Sequence, residues 1–326
     1  KSKRVIYLTE GHGERRNEPI GAIDQRATIS GLRGALKEQN YELKSLSAAE
    51  GLGVEVPKDA AAVLILGPTQ PFSEPEAKAI DEYARRGGKL LIALDPEPGL
   101  DFKELLQPLG LEFKNTLWAN DSVFIRSQGG PSDRGILATT SFSSHPVATT
   151  IGRAGAPVVF LTSGAVEELP AHPADLTVDF TVRANAQTFN DLNNNFSADT
   201  PPETRKSWGL VAAVTRRAAS SKIEDELRAV VMADSDAVGD VVLAQVRTNQ
   251  ALVLDTLKWL FGEERTMGLT NTEADVAIVR TRQQDQIWFY LTIFLAPAAV
   301  LLVGFFARRK KPRGGPAPAP GKEVRT

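Results

Sequence analysis

An uncharged apolar segment near the carboxyl end of the chain places the strongest constraint on how the chain folds. The segment spans twenty residues, from Ile287 to Phe306, and reads IWFYLTIFLAPAAVLLVGFF. At about 1.5 Å of rise per residue, a helix of this length matches a hydrocarbon core about 30 Å thick. Trp288 and Tyr290 lie at its start, where aromatic rings favour the membrane interface, and four basic residues follow at 308–311. The segment therefore predicts one transmembrane helix over 286–307.

The basic residues after this helix predict its orientation. Under the positive-inside rule they lie in the cytoplasm, together with a Pro- and Gly-rich tail, 308–326, that we expect to be disordered. Residues 1–262 then form a domain on the periplasmic side of a bacterial inner membrane, joined to the helix by a polar connector, 263–285. A domain on that side needs an export signal. We therefore expect a further segment before Lys1, either cleaved or a second transmembrane helix.

The composition excludes several classes of function. Of the 326 residues, 42% are hydrophobic, which is enough for a sizeable core. The 38 lysines and arginines nearly balance the 40 acidic residues, so the chain offers no excess of positive charge to a nucleic acid backbone. The chain contains no cysteine, which excludes a thiol nucleophile, an iron–sulfur cluster and any disulfide. Nucleic acid is therefore not an expected partner.

Alternating strands and helices in the first hundred residues predict an α/β fold. The run AAVLILG at 61–67 is apolar without interruption, as in a central strand that is buried on both faces. Ser73 precedes two acidic residues and caps the helix that follows. The predicted order is strand 5–9, helix 21–40, strand 41–47, strand 61–67, helix 73–86 and strand 89–95. This order indicates a Rossmann-like sandwich of three layers.

The middle of the chain, 100–205, has a less regular pattern and is interpreted as an insertion or a set of edge elements. It contains a predicted helix at 102–109 and predicted strands at 122–126 and 157–162. The polar segment at 185–207 is expected to lie outside the core. After it, regular structure returns as two strands, 208–217 and 227–236, and a helix at 249–261.

Three polar clusters follow predicted strands, at the edge of the sheet where ligands of open α/β folds bind. The candidates for ligand or partner binding are Gly11, His12, Gly13, Glu14, Asp95, Asp234, Ser235 and Asp236. One imidazole and several carboxylates could serve acid–base chemistry or a hard cation. The alternative is that these residues form turns and helix caps, which use the same residue types.

The motifs of known catalytic and cofactor sites are missing from the sequence. The cluster at 11–14 lacks the G-x-G-x-x-G spacing of a dinucleotide site, and the chain contains no G-x-x-x-x-G-K-[ST]. Neither an H-E-x-x-H motif nor a pair of histidines at helical spacing is present to bind zinc. The turn after 61–67 reads PTQPFSEPE, not a nucleophile elbow. We therefore predict no catalytic residue, no metal and no cofactor.

Four segments of the chain together resemble a known family. They are GHGE at 11–14, LGPTQPFSEPEAKAIDEYARRGGKLLIALDP at 66–96, SHPVATTI at 144–151, and RAVVMADSDAVGD followed by NQALVLDTLKWLFG at 228–262. In this order they resemble the gliding-motility auxiliary family of ABC-type transport systems, over most of residues 3–307. One departure is present. Ala233 and Ala237 flank the Asp-Ser-Asp turn, where the family usually has Gly and an aromatic residue.

The resemblance implies a fold and a set of partners. Family members carry an extracytoplasmic domain with the type I glutamine-amidotransferase-like fold and are anchored in the membrane. The implied function is that of a noncatalytic subunit working with an ABC permease and with an ATPase that binds the ATP. Its periplasmic domain is then expected to contact an exported or cell-surface protein or glycan, while 287–306 contacts the lipid bilayer.

Two other functions stay open on the sequence alone. The first is a membrane-tethered periplasmic protein that binds a carbohydrate or an anion through the loops at 11–14, 95–97 and 234–236. The second is a hydrolase that uses His12 with the nearby carboxylates. It requires these side chains to converge on one open pocket with a nucleophile or a metal.

Overall fold

The fold is built on one large sheet with helices on both faces. The structure, a computed structural model, describes residues 4–16, 28–199, 201–217 and 225–263, together with 293, 294 and 302. The strands in this part of the chain are β1 (Arg4–Thr9), β2 (Tyr41–Leu46), β3 (Ala60–Leu66), β4 (Lys89–Ala93), β5 (Leu111–Lys114), β6 (Leu117–Ala119), β7 (Leu137–Thr139), β8 (Ser141–Phe142), β9 (Val158–Phe160), β10 (Ala165–Glu168), β11 (Leu176–Arg183), β12 (Phe189–Asp191), β13 (Gly209–Arg216) and β14 (Leu227–Met232). The α-helices are α1 (Ser30–Glu38), α2 (Glu74–Arg85), α3 (Lys103–Leu106), α4 (Thr149–Ala154), α5 (Asp240–Leu243) and α6 (Arg247–Leu260).

The large sheet has a parallel half and an antiparallel half. Its strand order is β2-β1-β3-β4-β14-β13-β10-β5, and the first five strands run parallel to their neighbours. From β13 onward the pairings are antiparallel, with β11 also pairing with β13. The predicted α/β fold around a large sheet is confirmed, and β14 returns late in the chain to complete the parallel half.

Alternate side chains of the central strands enter two separate cores. Ile6 and Leu8 of β1 pack on one face with α1 and α6, whereas Val5 and Tyr7 pack on the other face with α2 and α3. The strands β3, β4 and β14 are buried on both faces, which explains their unbroken apolar sequences. Each fully buried leucine or isoleucine here contributes about 1.5–3 kcal/mol of hydrophobic free energy.

Helices α2 and α6 begin and end close to their predicted positions, but α1 begins at Ser30, because Thr28 pairs with Arg16 in an isolated bridge and is not helical. Ser73 precedes α2, and its backbone N–H donates to Glu76 Oε2 at 2.9 Å, as expected for a capping box. Helix α6 and the strand pair β13–β14 also confirm the predictions for the last third of the domain. Residues 17–27, which include the start of the predicted helix 21–40, lie outside the described residues.

Two predictions for the middle region are wrong. Residues 122–126 form no strand, because the side chain of Asn120 accepts hydrogen bonds from the N–H groups of Ser122 and Val123 and turns the chain. The apolar residues that indicated a strand there, Val123 and Ile125, are exposed to solvent. Phe124 makes one isolated bridge, to Leu137.

The prediction that the polar segment at 185–207 lies outside the core is wrong. The segment contains β12, which pairs with β6, and its Phe189 is fully buried. The carboxylate of Asp191 accepts the N–H groups of Asn195 and Phe196, and that of Glu203 accepts those of Leu192 and Asp199. These bonds satisfy backbone groups that would otherwise need water, so a polar segment can lie against the core.

The predicted membrane segment falls outside the described part of the chain, except for residues 293, 294 and 302. Within the residues that the structure does describe, none of the helices combines the length and the apolar character that a membrane crossing requires. The connector after Glu263 and the tail 308–326 also lie outside the described residues.

Candidate functional site

A cleft of about 740 Å³ opens at the carboxyl edge of the parallel strands. The chain reaches this edge after β1, β3, β4 and β14, and the three polar clusters predicted from the sequence meet there, as the topology requires. Four of the predicted candidates line the cleft: Gly13, Glu14, Asp95 and Ser235. The other four, Gly11, His12, Asp234 and Asp236, are not among the residues that line it.

Arg15 joins the clusters to one another and was missed by sequence reasoning. Its Nε donates to Ser235 Oγ at 2.7 Å, and one terminal nitrogen donates to Asp236 Oδ1 at 2.7 Å and lies 3.7 Å from Asp95 Oδ2. Gly239 makes room for this contact, because a Cβ there would lie 2.8 Å from the guanidinium. The only signal in the sequence is that Arg15 directly follows the GHGE turn.

Asp95 and Ser235 connect the ends of two neighbouring strands, β4 and β14. Ser235 donates its backbone N–H to Asp95 Oδ1 at 2.7 Å and its hydroxyl to Asp95 Oδ2 at 2.5 Å. Since the Ser235 hydroxyl also accepts from Arg15, its proton and one of its two lone pairs are used within the cluster. This arrangement fits a structural role for the serine better than a nucleophilic one.

Asp234 is a fully buried carboxyl group in the turn after β14. It accepts the N–H of Leu161 at 2.5 Å and that of Asp236 at 2.7 Å. Burial, together with the nearby carboxylates of Asp95 and Asp236, raises the pKa of Asp234 to about 8, against the opposing effect of Arg15. The turn therefore holds a carboxyl group whose charge is disfavoured by its surroundings.

His12 points away from the cleft and into the protein. Its ring stacks on Phe72 with 4.0 Å between centroids, Nδ1 lies 3.1 Å from Glu14 Oε1, and Nε2 lies 3.1 Å from Glu76 Oε2. Burial raises the pKa of Glu76, but hydrogen bonds from Ser73 and His12 outweigh it and lower that pKa below its ordinary value. The histidine thus ties the turn after β1 to the first turn of α2.

The charged residues that the structure describes in the walls of the cleft are mostly acidic. Its lining includes four carboxylate residues and one guanidinium: Glu14, Asp95, Glu97, Asp191 and Arg15. Hydroxyl and amide side chains complete the polar lining: Thr69, Asn115, Thr116, Thr162, Asn194 and Ser235. In the described part of the chain, no group of three or more His, Asp or Glu side chains is arranged to hold a metal ion.

Several of these lining residues come from the middle region, which the sequence did not connect to the site. Asn115 orders the loop after β4, because it accepts from the Glu97 N–H at 2.7 Å and donates to the Glu97 carbonyl at 2.5 Å. Asp191 and Asn194 come from the polar segment that was expected to lie outside the core. A cluster of asparagine and aspartate residues at 190–195 was the available signal.

Replacing Gly13 with alanine tests how tightly the turn at the cleft is packed. Gly13 has a φ of +78°, and a Cβ there would lie 2.0 Å from Thr69 Oγ1. Gly99 has the same φ, but a Cβ there meets nothing within 4 Å. We expect G99A to lower the free energy of unfolding by about 1–2 kcal/mol, because alanine disfavours the left-handed backbone. G13A should lower it by about 1–3 kcal/mol more, because of the steric overlap with Thr69.

The measurement is the chemical unfolding of the full chain in detergent, with tryptophan fluorescence as the signal that monitors the transition. Because T69A removes the overlapping oxygen, the double variant G13A/T69A should recover most of the difference between G13A and G99A. Equal costs for G13A and G99A would contradict the tight packing of this turn.

Comparison with known proteins gives one family and several solved structures. The model of a family described as "ABC-type uncharacterized transport system" matches residues 3–256. No curated protein matches the chain. Among solved structures, the mmIFT52 N-terminal domain is 13% identical with a TM-score of 0.54, and the match covers 78% of this chain and 96% of that one. A ThuA-like protein from Bacteroides uniformis is 14% identical with a TM-score of 0.44, covering 80% of this chain and 92% of that one.

Proposed function

This chain belongs to the auxiliary-component family of ABC-type transport systems, and we propose that it serves one such system as a noncatalytic, membrane-anchored subunit. In this proposal the helix at 286–307 packs against the permease, and a separate ATPase binds ATP. The α/β domain, of the glutamine-amidotransferase-like kind implied by the family, lies in the periplasm. Its carboxyl-edge cleft contacts an exported or cell-surface partner.

One observation carries the noncatalytic part of the proposal: three of the acid–base candidates predicted from the sequence, His12, Asp234 and Asp236, are used to hold the cleft together. His12 contacts two glutamates and a phenylalanine, and Asp234 and Asp236 are buried and bonded to backbone N–H groups or Arg15. A general acid or base has to come within hydrogen-bond reach of a substrate atom. These side chains would have to leave their partners to do so, which disfavours a hydrolase.

A second candidate function is a membrane-tethered protein that binds a carbohydrate in the same cleft. The volume of about 740 Å³ lies in the range of small-ligand sites, and hydroxyl and amide groups line it. In the described part of the lining, four acidic residues against one arginine disfavour the anionic ligand that the sequence left open. A neutral polyhydroxyl ligand is compatible with this lining.

The proposal predicts that the ATPase and the permease copurify with the full chain from native membranes in a mild detergent. A matched control replaces 286–307 with an unrelated apolar helix of equal length, which keeps the anchor but removes Ala296, Ala298, Ala299 and Gly304 as packing residues. We expect that variant to stay in the membrane and to lose both subunits. Recovery of the wild-type chain alone would contradict the proposal.

Substitutions in the cleft separate the two candidate functions. E97K changes the charge of an acidic wall without touching the Arg15 cluster. If the cleft contacts a protein partner, E97K retains the ATPase and permease but recovers less of the third, exported partner. Binding of a neutral oligosaccharide by the wild-type chain, measured by calorimetry and lost in the N194A variant, would favour the carbohydrate-binding function instead.

A further inference from the structure

A second cavity, of about 470 Å³, lies at the opposite edge of the sheet, where the parallel strands begin. Arg4 starts β1 and Lys89 starts β4, and both line this cavity. Since a strand of six residues is about 20 Å long, this cavity is well separated from the cleft at the carboxyl edge. Neither the family nor the carboxyl-edge cleft accounts for it.

The lining of this cavity is basic. It contains four cationic residues, Arg4, Lys58, Arg86 and Lys89, and none of the described residues that line it carries a carboxylate. Lys89 is buried, and its ammonium donates to the carbonyl oxygens of Gly87, at 3.0 Å, and Glu226. Lys58 is exposed. The charge distribution is thus the reverse of that in the carboxyl-edge cleft.

Two carboxylates outside the lining neutralise part of this charge. Arg4 lies 3.3 Å from Glu263 Oε1, and Arg86 lies 2.8 Å from Glu55 Oε1. All four of these side chains are 40–53% exposed, so the pairs are weak and can exchange for another anion. The four cations of the lining outnumber the two carboxylates of these pairs.

Apolar and aromatic side chains form the rest of the wall. Tyr83 and Phe261 line the cavity, and the Arg4 guanidinium lies 5.8 Å from the centre of the Phe261 ring. Cations beside an apolar wall fit a ligand that carries a phosphate on an apolar or glycerol body. A free inorganic anion would leave this apolar wall without a contact.

The cavity also lies where the chain leaves the domain towards its predicted membrane helix. Glu263, the last residue of the described domain, contacts Arg4 and accepts a hydrogen bond from the Tyr41 hydroxyl at 2.9 Å. Residues 264–285 then separate this edge from the predicted helix at 286–307. We propose that the cavity lined by Arg4, Lys58, Arg86 and Lys89 binds the phosphate of an anionic phospholipid headgroup.

This inference rests on the membrane anchoring in the proposed function, and it assigns to the domain a lipid contact of its own. Anionic headgroups attract each nearby lysine or arginine, and the attraction is screened by salt. A headgroup in this cavity would hold the amino edge of the sheet against the bilayer. The carboxyl-edge cleft would then face away from the membrane, towards an exported partner.

The test is native mass spectrometry of the full chain in mild detergent, titrated with phosphatidylglycerol or with phosphatidylcholine. Arg308 to Lys311 also attract anionic lipid, so the readout is the difference between the wild type and the double variant K58E/R86E. We expect the double variant to bind phosphatidylglycerol about tenfold or more weakly. The control K78E/R85E makes the same charge change on the exposed face of α2 and should stay within about twofold of the wild type.

Each other outcome overturns the assignment. Equal affinity of the wild type for the two lipids, or equal affinity of the wild type and K58E/R86E for phosphatidylglycerol, removes the headgroup site. Inorganic phosphate that binds the wild type in millimolar buffer and displaces the lipid identifies a free anion as the ligand. Loss of lipid selectivity in K78E/R85E as well indicates a general charge effect.

Failure of this inference is separable from failure of the proposed function. Copurification of the ATPase and the permease is measured on the same K58E/R86E sample. If K58E/R86E keeps the ATPase and the permease but loses lipid selectivity, the cavity supplies the lipid contact. Assembly of the transporter then does not depend on that contact. If the lipid site behaves as expected but the wild-type chain is recovered alone, the accessory-subunit proposal is wrong and the lipid site stands.

Discussion

Replacing Arg15 with methionine is expected to lower the free energy of unfolding of the α/β domain by about 3–5 kcal/mol. The guanidinium is 7% exposed and bonds the Asp236 carboxylate, which is fully buried, while lying 3.7 Å from that of Asp95. Without it, the carboxyl groups of Asp95, Asp234 and Asp236 share a small volume, and no other cation among the described residues forms an ion pair with them. A buried charge that has lost its partner is among the costliest defects in a folded protein.

The control for this variant is R85M. Arg85 bonds Asp81 one turn earlier on α2 at 2.7 Å, and its side chain is 62% exposed, so we expect a loss of about 0.5 kcal/mol or less. The double variant R15M/D236N should recover part of the loss seen in R15M, because it removes the buried carboxylate that Arg15 bonds. Urea unfolding followed by tryptophan fluorescence measures all three. A loss of less than about 1 kcal/mol in R15M would contradict the central role of Arg15.

The parallel half of the sheet was predictable because its signals are local. The unbroken apolar sequence of β3 and the Ser73 cap of α2 depend on residues close together in the chain, and the structure confirms both. The middle region was not predictable in the same way. Val123 and Ile125 alternate as in a strand, but the side chain of Asn120 turns the backbone there. The alternating apolar pattern favours a strand, whereas the hydrogen bonds from the backbone to Asn120 favour a turn, and the chain forms the turn.

The sequence predicts where the candidate site lies in the fold, but not which side chains contact one another there. Topology alone places 11–14, 95–97 and 234–236 at one edge, because parallel strands end together. Which way a side chain points at that edge depends on contacts far apart in sequence. His12 points inward because its ring stacks on Phe72 and its Nε2 lies within hydrogen-bond distance of Glu76. Arg15 is central only because residues more than two hundred positions later come back beside it.

The two edges of the sheet have opposite charge, and this supports one orientation of the domain. Among the described residues, the lining of the carboxyl-edge cleft has four acidic residues and one arginine, and that of the amino-edge cavity has four basic residues. An acidic surface is repelled by anionic lipid and a basic one is attracted. The amino edge also carries Glu263, from which the chain continues to the predicted helix. The charge of the amino edge is therefore the one that suits the lipid contact proposed for it.

The stability of the domain is expected to fall as the pH rises from about 5 to 8, because of Asp234. The folded pKa of this group is raised to about 8 by burial and by the carboxylates of Asp95 and Asp236, whereas an unfolded aspartate has a pKa of about 3.9. Below about pH 4 the group is protonated in both states and costs nothing. Between the two values the folded state holds a proton that the unfolded chain has released. The free energy of unfolding then falls as the pH rises, with a slope of up to about 1.4 kcal/mol per pH unit.

The variant D234N isolates this contribution. Its amide does not titrate, so its free energy of unfolding should lack the slope between pH 5 and 8. The amide offers one oxygen to the N–H groups of Leu161 and Asp236, which both bond the aspartate. This costs about 1–3 kcal/mol, but the cost is the same at every pH, so it shifts the curve without tilting it.

The matched control for the slope is D240N. Burial raises the pKa of Asp240, but hydrogen bonds from Gly31, Thr28 and Ser30 outweigh it and lower that pKa below its ordinary value. Asp240 therefore affects stability only at acid pH. From pH 5 to 8, the free energy of unfolding of D240N should change with pH in parallel with that of the wild type. Urea midpoints at each pH give the three slopes. If D234N also runs parallel to the wild type, the N–H donors of Leu161 and Asp236 hold Asp234 ionised in spite of its burial, and the carboxyl edge carries one more negative charge.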